Sequence, residues 1–169
     1  MLASFLGWLW SRTRLFVRAA SGRQRYNVLG AFNAVSHELV RVTNDSYITA
    51  QTVCDLLGKV SALGLGMPIT LVMDNARYQR CQLVQNLAGV LNIELLFLPS
   101  YSPNLNLIER LWKFTKKTVL NSRHQKCFGD FRRAIDKCLD ELNTTHRSKI
   151  DSLMALNFQS FGNVSMLGG

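Results

Sequence analysis

The chain has 169 residues, the length of one ordinary domain, and 47% of them are hydrophobic, which excludes an intrinsically disordered protein. Lysine and arginine outnumber aspartate and glutamate by 20 to 11, so the formal net charge is +9. This excess favours a polyanionic partner, nucleic acid before an acidic membrane surface, although a solvated basic surface without a partner is also open.

Cysteine placement and the apolar start of the chain indicate the compartment. The four cysteines form no CxxC pair, which argues against a zinc or disulfide framework and for reduced thiols in an intracellular protein. The first segment, MLASFLGWLWSRTRLF, is too short to span a bilayer and lacks the basic start of a signal peptide. We therefore expect a cytoplasmic protein with no membrane partner.

The first predicted elements are a hairpin and a helix. Short β-rich runs at residues 25–34 and 38–43, separated by a polar corner, predict an antiparallel hairpin. Apolar residues at helical spacing then predict a helix over residues 48–65, where two glycines end it.

Alternating strands and helices are predicted for the remainder. Strands are predicted at residues 69–73 and 93–98, and the first is apolar throughout, which is typical of a strand covered on both faces. Helices are predicted over residues 78–90, 107–120 and 128–142. This order indicates an α/β domain with a mixed sheet and flanking helices, over residues 1–150, with a tail at 151–169.

Asp74 directly follows the strand predicted at residues 69–73. Ligand sites of open α/β sheets gather at the carboxyl ends of strands, so an acid here is well placed for catalysis or metal binding. The alternative is that Asp74 and Asn75 only cap the following helix.

Glu109 falls in the first turn of the helix predicted at residues 107–120. Two carboxylates brought together at a sheet edge would suit magnesium or manganese. Two structural alternatives stay open. Asn106 and Glu109 resemble a helix-capping box, and Glu109 precedes Lys113 by four residues, the spacing of a surface ion pair.

Three lysines project from the helix that carries Glu109, and they form either a solvated face or a set of DNA phosphate contacts. Trp112 and Phe114 have the chemistry to stack on bases, but core packing is the favoured interpretation. The sequence has no Walker loop, GxGxxG turn or GxSxG elbow, which argues against nucleotide-cofactor enzymes and ordinary hydrolases.

Two segments in order, ITLVMDNARYQ and IELLFLPSYSPNLNLIERLWKFTKK, closely resemble the DDE domain of bacterial insertion-sequence transposases. The branch is the insertion sequence 630 family, which is related to the mariner-like elements. The signature is an apolar strand ending in Asp-Asn-Ala, a second strand ending in Leu-Pro, and Tyr-Ser-Pro-Asn-Leu-Asn leading to Ile-Glu-x-x-Trp. The segment SGRQRYNVLGAFNA and residues 43–57 also look like the family, so the resemblance spans most of the chain.

The resemblance implies a ribonuclease-H-like fold with a five-stranded mixed sheet. It implies that Asp74 and Glu109 are the second and third acids of a triad holding two Mg²⁺ or Mn²⁺ ions, with Asn75 beside the ligands. The implied chemistry is hydrolysis at transposon ends and attack of the freed 3′ hydroxyl on target DNA, in the bacterial cytoplasm at the nucleoid. A homodimer is left open, and no small-molecule cofactor is expected. The expected DNA-binding residues are Arg23, Arg25, Lys113, Lys116 and Lys117.

The family's first acid lies on an opening strand upstream of the segment that here reads FLGWLWSRTRLF. Residues 1–4, which precede that segment, contain no acid, and the first acid of the sequence is Glu38. Asp45 and Asp55 follow the hairpin, so no residue is assigned to the first position. The family's N-terminal helix-turn-helix is not found either. We therefore expect an N-terminally truncated catalytic domain, without its first strand and with impaired cleavage; the alternative is a non-catalytic, basic DNA-binding remnant.

Overall fold

The computed structural model describes residues 24–33, 35–74, 76–99, 107–120 and 127–154. These ranges contain a mixture of strands and helices, so the predicted α/β class is confirmed. In chain order the elements are β1 (Asn27–Phe32), β2 (Leu39–Asn44), α1 (Ala50–Ser61), β3 (Ile69–Met73), α2 (Gln82–Val90), β4 (Ile93–Phe97), α3 (Leu107–Leu120), α4 (Phe128–Asp140) and α5 (Arg147–Leu153).

The described strands form two sheets of two strands each. β1 pairs antiparallel with β2, from Asn27 opposite Asn44 to Phe32 opposite Leu39, which confirms the predicted hairpin. β3 and β4 are parallel, with Ile69 beside Ile93 at one end of the pair. The expectation that the opening strand is absent concerns the N-terminal part of the chain. Residues 1–23 lie outside the described ranges, so this expectation stays a prediction.

The β1–β2 hairpin lies between two apolar cores. One face of the hairpin packs against a core built around α1. The same core covers one face of the β3–β4 pair. The second face of the hairpin packs against a core built from α3, α4 and α5. The fully buried side chains at the centres of these cores are Val53, Leu57, Val84, Leu111, Leu142 and Ile150. Each contributes about 1.5–3 kcal/mol by leaving water.

Trp112 of α3 packs directly on the hairpin at Gly30. A Cβ atom at Gly30 would lie 3.3 Å from two atoms of the Trp112 ring and 2.9 Å from Cδ1 of Leu39. Trp112 and Leu39 both border the second core. The close approach therefore needs a residue without a side chain, and it sets the position of α3 against β1.

Polar contacts fasten the last two helices to the hairpin. Arg41 of β2 forms an ion pair with Asp140 of α4 at 2.8 Å. The Tyr26 hydroxyl donates to Asp136 of α4 at 2.6 Å, and burial together with this bond raises the pKa of Tyr26. The ion pair Arg132–Asp45 at 3.0 Å also joins the hairpin region to α4, and a hydrogen bond of 2.9 Å between His37 Nδ1 and Asp151 joins it to α5.

Two predicted helices are shorter in the structure. α1 ends at Ser61 rather than at residue 65, because Gly64 and Gly66 adopt positive φ angles of 58° and 65°. α2 begins at Gln82 rather than at residue 78, because the preceding residues form a turn that ends in extended backbone at Cys81.

Within the described residues β3 is covered on one face, whereas the sequence predicted cover on both. Thr70 and Val72 are exposed, as are Glu94 and Leu96 beside them on β4. Successive side chains alternate between the faces of a strand, and α1 and α2 pack on the same face of this pair. On the opposite face, as far as the described ranges extend, Val72 is 45% and Leu96 51% exposed.

The C-terminal helix α5 did not emerge from the sequence pattern. Ile150 of α5 and Met154 beyond it are buried in the second core. The helix crosses residue 150, where the sequence placed the start of the tail, and residues 155–169 lie outside the described ranges. In the part of the chain that the structure describes, no helix has the length and apolarity that crossing a membrane requires.

The packing at Gly30 predicts a specific loss of stability. Replacing Gly30 with valine forces the rigid Trp112 ring away from β1, so we expect the free energy of unfolding to fall by about 1–3 kcal/mol. The matched control is Gly58→Ala, because a Cβ at Gly58 of α1 meets no atom within 4 Å. That change is expected to raise stability by about 0.5–1 kcal/mol. Urea unfolding measures the stability of both variants. A Gly30→Val variant that is as stable as Gly58→Ala, or more stable, would contradict this packing.

Candidate functional site at the carboxyl edge of the parallel strands

The carboxyl ends of β3 and β4 lie side by side. Met73, the last residue of β3, is in register with Phe97, the last residue of β4. The backbone N–H of Leu98 donates to the carbonyl of Met73 at 2.9 Å, so the pairing continues to the very end of both strands. Asp74 is the next residue after Met73, and it is exposed. The structure therefore places this acid at the sheet edge where the sequence predicted it.

The turn after Asp74 rules out the capping alternative. The N–H groups of Gln79 and Arg80 both donate to the carbonyl of Ala76, at 3.0 and 3.2 Å. α2 begins only at Gln82, and its N-cap residue is Cys81. The Asp74 side chain is thus too far along the chain to cap α2. Asn75, predicted to neighbour the ligands, lies outside the described residues.

Tyr78 is a neighbour of Asp74 that sequence reasoning missed. Burial, and secondly the negative charge of Asp74, raise the pKa of Tyr78 above its ordinary value of 10.0. The Asp74 carboxylate therefore lies within electrostatic reach of the Tyr78 hydroxyl. The sequence pattern does not mark Tyr78 as a neighbour of Asp74, because the two side chains are brought together only by the turn between them.

Two further side chains of the turn have unusual surroundings. The guanidinium of Arg80 lies over the ring of Phe97, 5.3 Å from its centroid. Gln79 is 7% exposed, and its Oε1 atom is buried with no hydrogen-bond partner. A buried polar atom without a partner costs about 1–3 kcal/mol, so such atoms are few in native proteins. The turn therefore combines a stacked cation with a costly buried amide beside the candidate acid.

Glu109 lies in the first turn of α3, as predicted, and is partly exposed. At 100° per residue it shares a face of the helix with the exposed Lys113 and Lys116. Among the ion pairs of the described residues, none joins Glu109 to Lys113, so the ion-pair alternative is not supported. Asn106, the partner in the capping alternative, lies outside the described ranges.

The predicted DNA-binding residues are found in different settings. Lys113, Lys116 and Lys117 are all exposed on α3. Arg25 is exposed too, and its guanidinium stacks 4.2 Å from the Tyr47 ring centroid. Arg23 lies outside the described residues.

The aromatic residues of α3 pack in the core, as favoured. Phe114 is 6% exposed and belongs to the second core, and Trp112 packs against the same core. Both rings therefore take part in core packing, and Phe114 is buried.

The metal-binding prediction rests on two carboxylates. No group of three Asp, Glu, His or Cys side chains among the described residues is arranged to hold a metal ion. Asp74 and Glu109 nevertheless offer the hard oxygen ligands that Mg²⁺ and Mn²⁺ prefer, and Mg²⁺ commonly binds through one or two carboxylates with water and phosphate oxygens completing its shell. Each of the two carboxylates therefore has the donor chemistry that suits a divalent ion.

Two clefts of about 570 and 340 Å³ lie along β2 and α4, and neither is lined by Asp74 or Glu109. The larger is lined by charged residues that already pair with one another, among them Arg41, Asp136 and Asp140.

The electrostatic contact between Asp74 and Tyr78 predicts a change in titration. In Asp74→Asn the negative charge is lost, so we expect the pKa of Tyr78 to fall but to stay above 10, because burial is its larger cause. Ultraviolet titration of tyrosinate, with a Tyr78→Phe variant subtracted, measures this pKa. Glu94→Gln, an exposed acid near the opposite end of β4, is the control. An unchanged Tyr78 pKa in Asp74→Asn would show that the two side chains are not neighbours.

Comparison with solved structures shows the fold. One chain of the simian T-cell lymphotropic virus intasome, solved in complex with PP2A regulatory subunit B56 gamma, is similar with a TM-score of 0.55 and 19% identity, covering 72% of this chain and 43% of that one. The catalytic core domain of BIV integrase has a TM-score of 0.52 and 17% identity, covering 72% and 82%. The Mos1 transposase catalytic domain has a TM-score of 0.47 and 13% identity, covering 82% and 84%. The two similarities with TM-scores above 0.5 confirm the predicted ribonuclease-H-like class.

Sequence comparison identifies the family. No curated protein sequence matches the chain. The family model for the DDE superfamily endonuclease matches residues 11–132, which include both Asp74 and Glu109. Because this match covers well over half of the sequence, the chain belongs to the DDE superfamily of endonucleases.

Proposed function

We propose that this chain is the catalytic domain of an insertion-sequence transposase that cleaves DNA at the element's ends and joins the freed 3′ hydroxyl to target DNA. The observation that carries the proposal is the position of Asp74 at the carboxyl end of β3, directly beside the end of β4. Membership of the DDE superfamily endonucleases supports it, since DNA cleavage in transposition is consistent with that family. Its partner would be DNA, in the bacterial cytoplasm at the nucleoid, and the homodimer stays a prediction.

The proposed ligands of the divalent ions are Asp74 and Glu109, with Asn75 beside them. A bound metal pair supplies activation of the attacking oxygen and stabilisation of the leaving oxygen in phosphoryl transfer. The chain's own contribution is to hold Asp74 at a rigid strand end and Glu109 on a helix seated against the hairpin through Trp112. Fixed ligands of this kind lower the reorganisation that the reaction requires.

The lysines of α3 are proposed to position the DNA. Lys113, Lys116 and Lys117 are exposed on the helix that carries Glu109. Contacts from such side chains to backbone phosphates hold a duplex in place without reading its sequence. Their exposure also supports the second candidate function, a basic DNA-binding protein without catalysis.

Impaired cleavage by the 169-residue chain is part of the proposal. Residues 1–37 contain no Asp or Glu, and the two proposed ligands give a pair of metal ions fewer anchors than three acids would. We therefore expect the 169-residue chain to cleave DNA weakly.

A nicking assay on supercoiled plasmid tests the proposal. With Mg²⁺ or Mn²⁺, we expect weak but measurable nicking by the chain. Asp74→Asn and Glu109→Gln should each lower this nicking rate by about a hundredfold or more, since each removes a proposed metal ligand. Asp55→Asn and Glu94→Gln, which remove exposed acids elsewhere, are the matched controls.

The outcomes of this assay separate the claims. Nicking that survives Asp74→Asn would exclude the catalytic role of Asp74. Robust nicking by the chain, lost in Asp74→Asn, would support that role and overturn the expected impairment. Complete inactivity of the chain, together with tight DNA binding, would favour the non-catalytic candidate.

The α3 lysines predict a salt-dependent effect on DNA binding. Replacing Lys113, Lys116 and Lys117 with glutamine should reduce the slope of log affinity against log salt concentration by about 2 to 3, because each phosphate contact contributes about 0.9. The matched control changes three exposed lysines on other helices, Lys59, Lys137 and Lys149. Both triple variants lose three positive charges. A difference between their DNA affinities, measured by fluorescence anisotropy with a duplex, therefore reports the position of the lysines. Equal slopes for the two triple variants would show that α3 is not the DNA-binding face.

A further inference from the structure

Arg80 is held in place at three points. Its backbone N–H donates to the carbonyl of Ala76 at 3.2 Å, which closes the turn after Asp74. Its own carbonyl accepts a hydrogen bond from Nε2 of Gln85 in α2, at 2.6 Å. Its guanidinium lies 5.3 Å from the centroid of the Phe97 ring. Both the backbone and the charged end of this residue are therefore fixed, although the residue is exposed.

Phe97 brings the Arg80 guanidinium to the same sheet edge as Asp74. Phe97 is in register with Met73, and Asp74 is the next residue of the chain. Neighbouring strands lie about 4.8 Å apart, so the ends of β3 and β4 form one small surface. The cation above Phe97 and the carboxylate after Met73 are both part of that surface.

The chemistry of a stacked guanidinium suits a phosphate. Stacking on an aromatic ring occupies the flat face of the group, whereas its N–H donors point outward in its plane. Arginine donors in this geometry match a pair of phosphate oxygens, and the resulting hydrogen bonds are charge-assisted. Lysine, with a compact ammonium group, lacks both the stacking and the paired donors.

A cation at this edge answers an electrostatic requirement of the proposed function. Carboxylates that hold metal ions also repel the phosphodiester that must approach them. A positive charge held over Phe97, at the end of the strand that pairs with β3, offsets this repulsion without any rearrangement during binding. The α3 lysines lie on a different element from Arg80. Arg77 lies in the same turn as Arg80 and is also exposed, so it serves as a comparison.

We propose that Arg80, stacked on Phe97, binds a phosphate oxygen of the DNA strand that approaches Asp74. The ligand is a backbone phosphodiester, and the role of Arg80 is to bind and position it, with no bond made or broken at Arg80. This inference rests on the proposed function, because it assigns the substrate contact of the same site.

Equilibrium binding of a fluorescent DNA duplex by the whole chain tests the inference. Arg80→Ala should weaken binding about tenfold, the loss of one charged hydrogen-bond partner, and should reduce the salt slope by about 0.9. Arg77→Ala removes the same charge from the same turn and should have a much smaller effect on both quantities. Arg80→Gln keeps a planar amide for the Phe97 ring and removes the charge, so it should behave like Arg80→Ala. If Arg80→Ala lowers the urea midpoint of unfolding, the DNA affinity of Arg80→Gln is used in its place to decide the test.

Measurements with and without Mg²⁺ separate this inference from the proposed function. The proposed function predicts that Mg²⁺ strengthens DNA binding by the unmodified chain and not by Asp74→Asn. If that holds and both Arg80 variants bind DNA like Arg77→Ala, the role of Arg80 is wrong and the proposed function stands. If Mg²⁺ has no effect and Asp74→Asn binds like the unmodified chain, the proposed function fails, and the assignment of Arg80 fails with it.

Discussion

The in-register parallel pairing of β3 with β4 determines where the polar groups of the candidate site lie. The pairing runs from Ile69 beside Ile93 to Met73 beside Phe97, and α1 and α2 cover one face of it. Because the two strands end at the same level, Asp74 follows one strand at the edge where Phe97 ends the other. A shift of one residue in this register would place Asp74 inside or beyond the edge and would turn the apolar side chains of β4 to its opposite face.

The second acid depends on a separate part of the core. Glu109 is placed by α3, and α3 is placed by Trp112 against Gly30 and by the buried side chains shared with α4 and α5. The hairpin borders both cores, so it connects the helix of Glu109 to the helix that backs β3. Ion pairs such as Arg41–Asp140 then hold α4 against the hairpin. The geometry of the edge is thus a property of the whole described fold.

The strands and the long helices could be predicted because burial imposes a period on the sequence. β3 matches its prediction at both ends, and so does α3. The start of α2 could not be predicted in this way, because Tyr78 and its neighbours have apolar spacing that continues the helix while their hydrogen bonds form a turn. The seven-residue helix α5 is too short for a periodic signal, and its burial depends on tertiary contacts.

The two candidate acids were found through position and motif, whereas the groups around them were not. Asp74 follows an apolar strand and Glu109 begins a clear helix, so each stands at a recognisable boundary. Arg80 and Gln79 become notable only through a ring on another strand and a buried atom without a partner. Contacts of this kind join residues that are separated in sequence, and a periodic pattern carries no information about them. The exposed face of β3 was missed for a related reason, since an apolar strand is open or covered according to the elements that pack on it.

The central claim is that Asp74 and Glu109 bind one divalent metal site. Anomalous scattering from a crystal of the chain grown with Mn²⁺ tests it most directly. The account predicts a manganese peak with an oxygen of each carboxylate within about 2–2.6 Å, the range of bonds between hard cations and oxygen. A peak elsewhere in the protein, with the two carboxylates too far apart to share an ion, would contradict it.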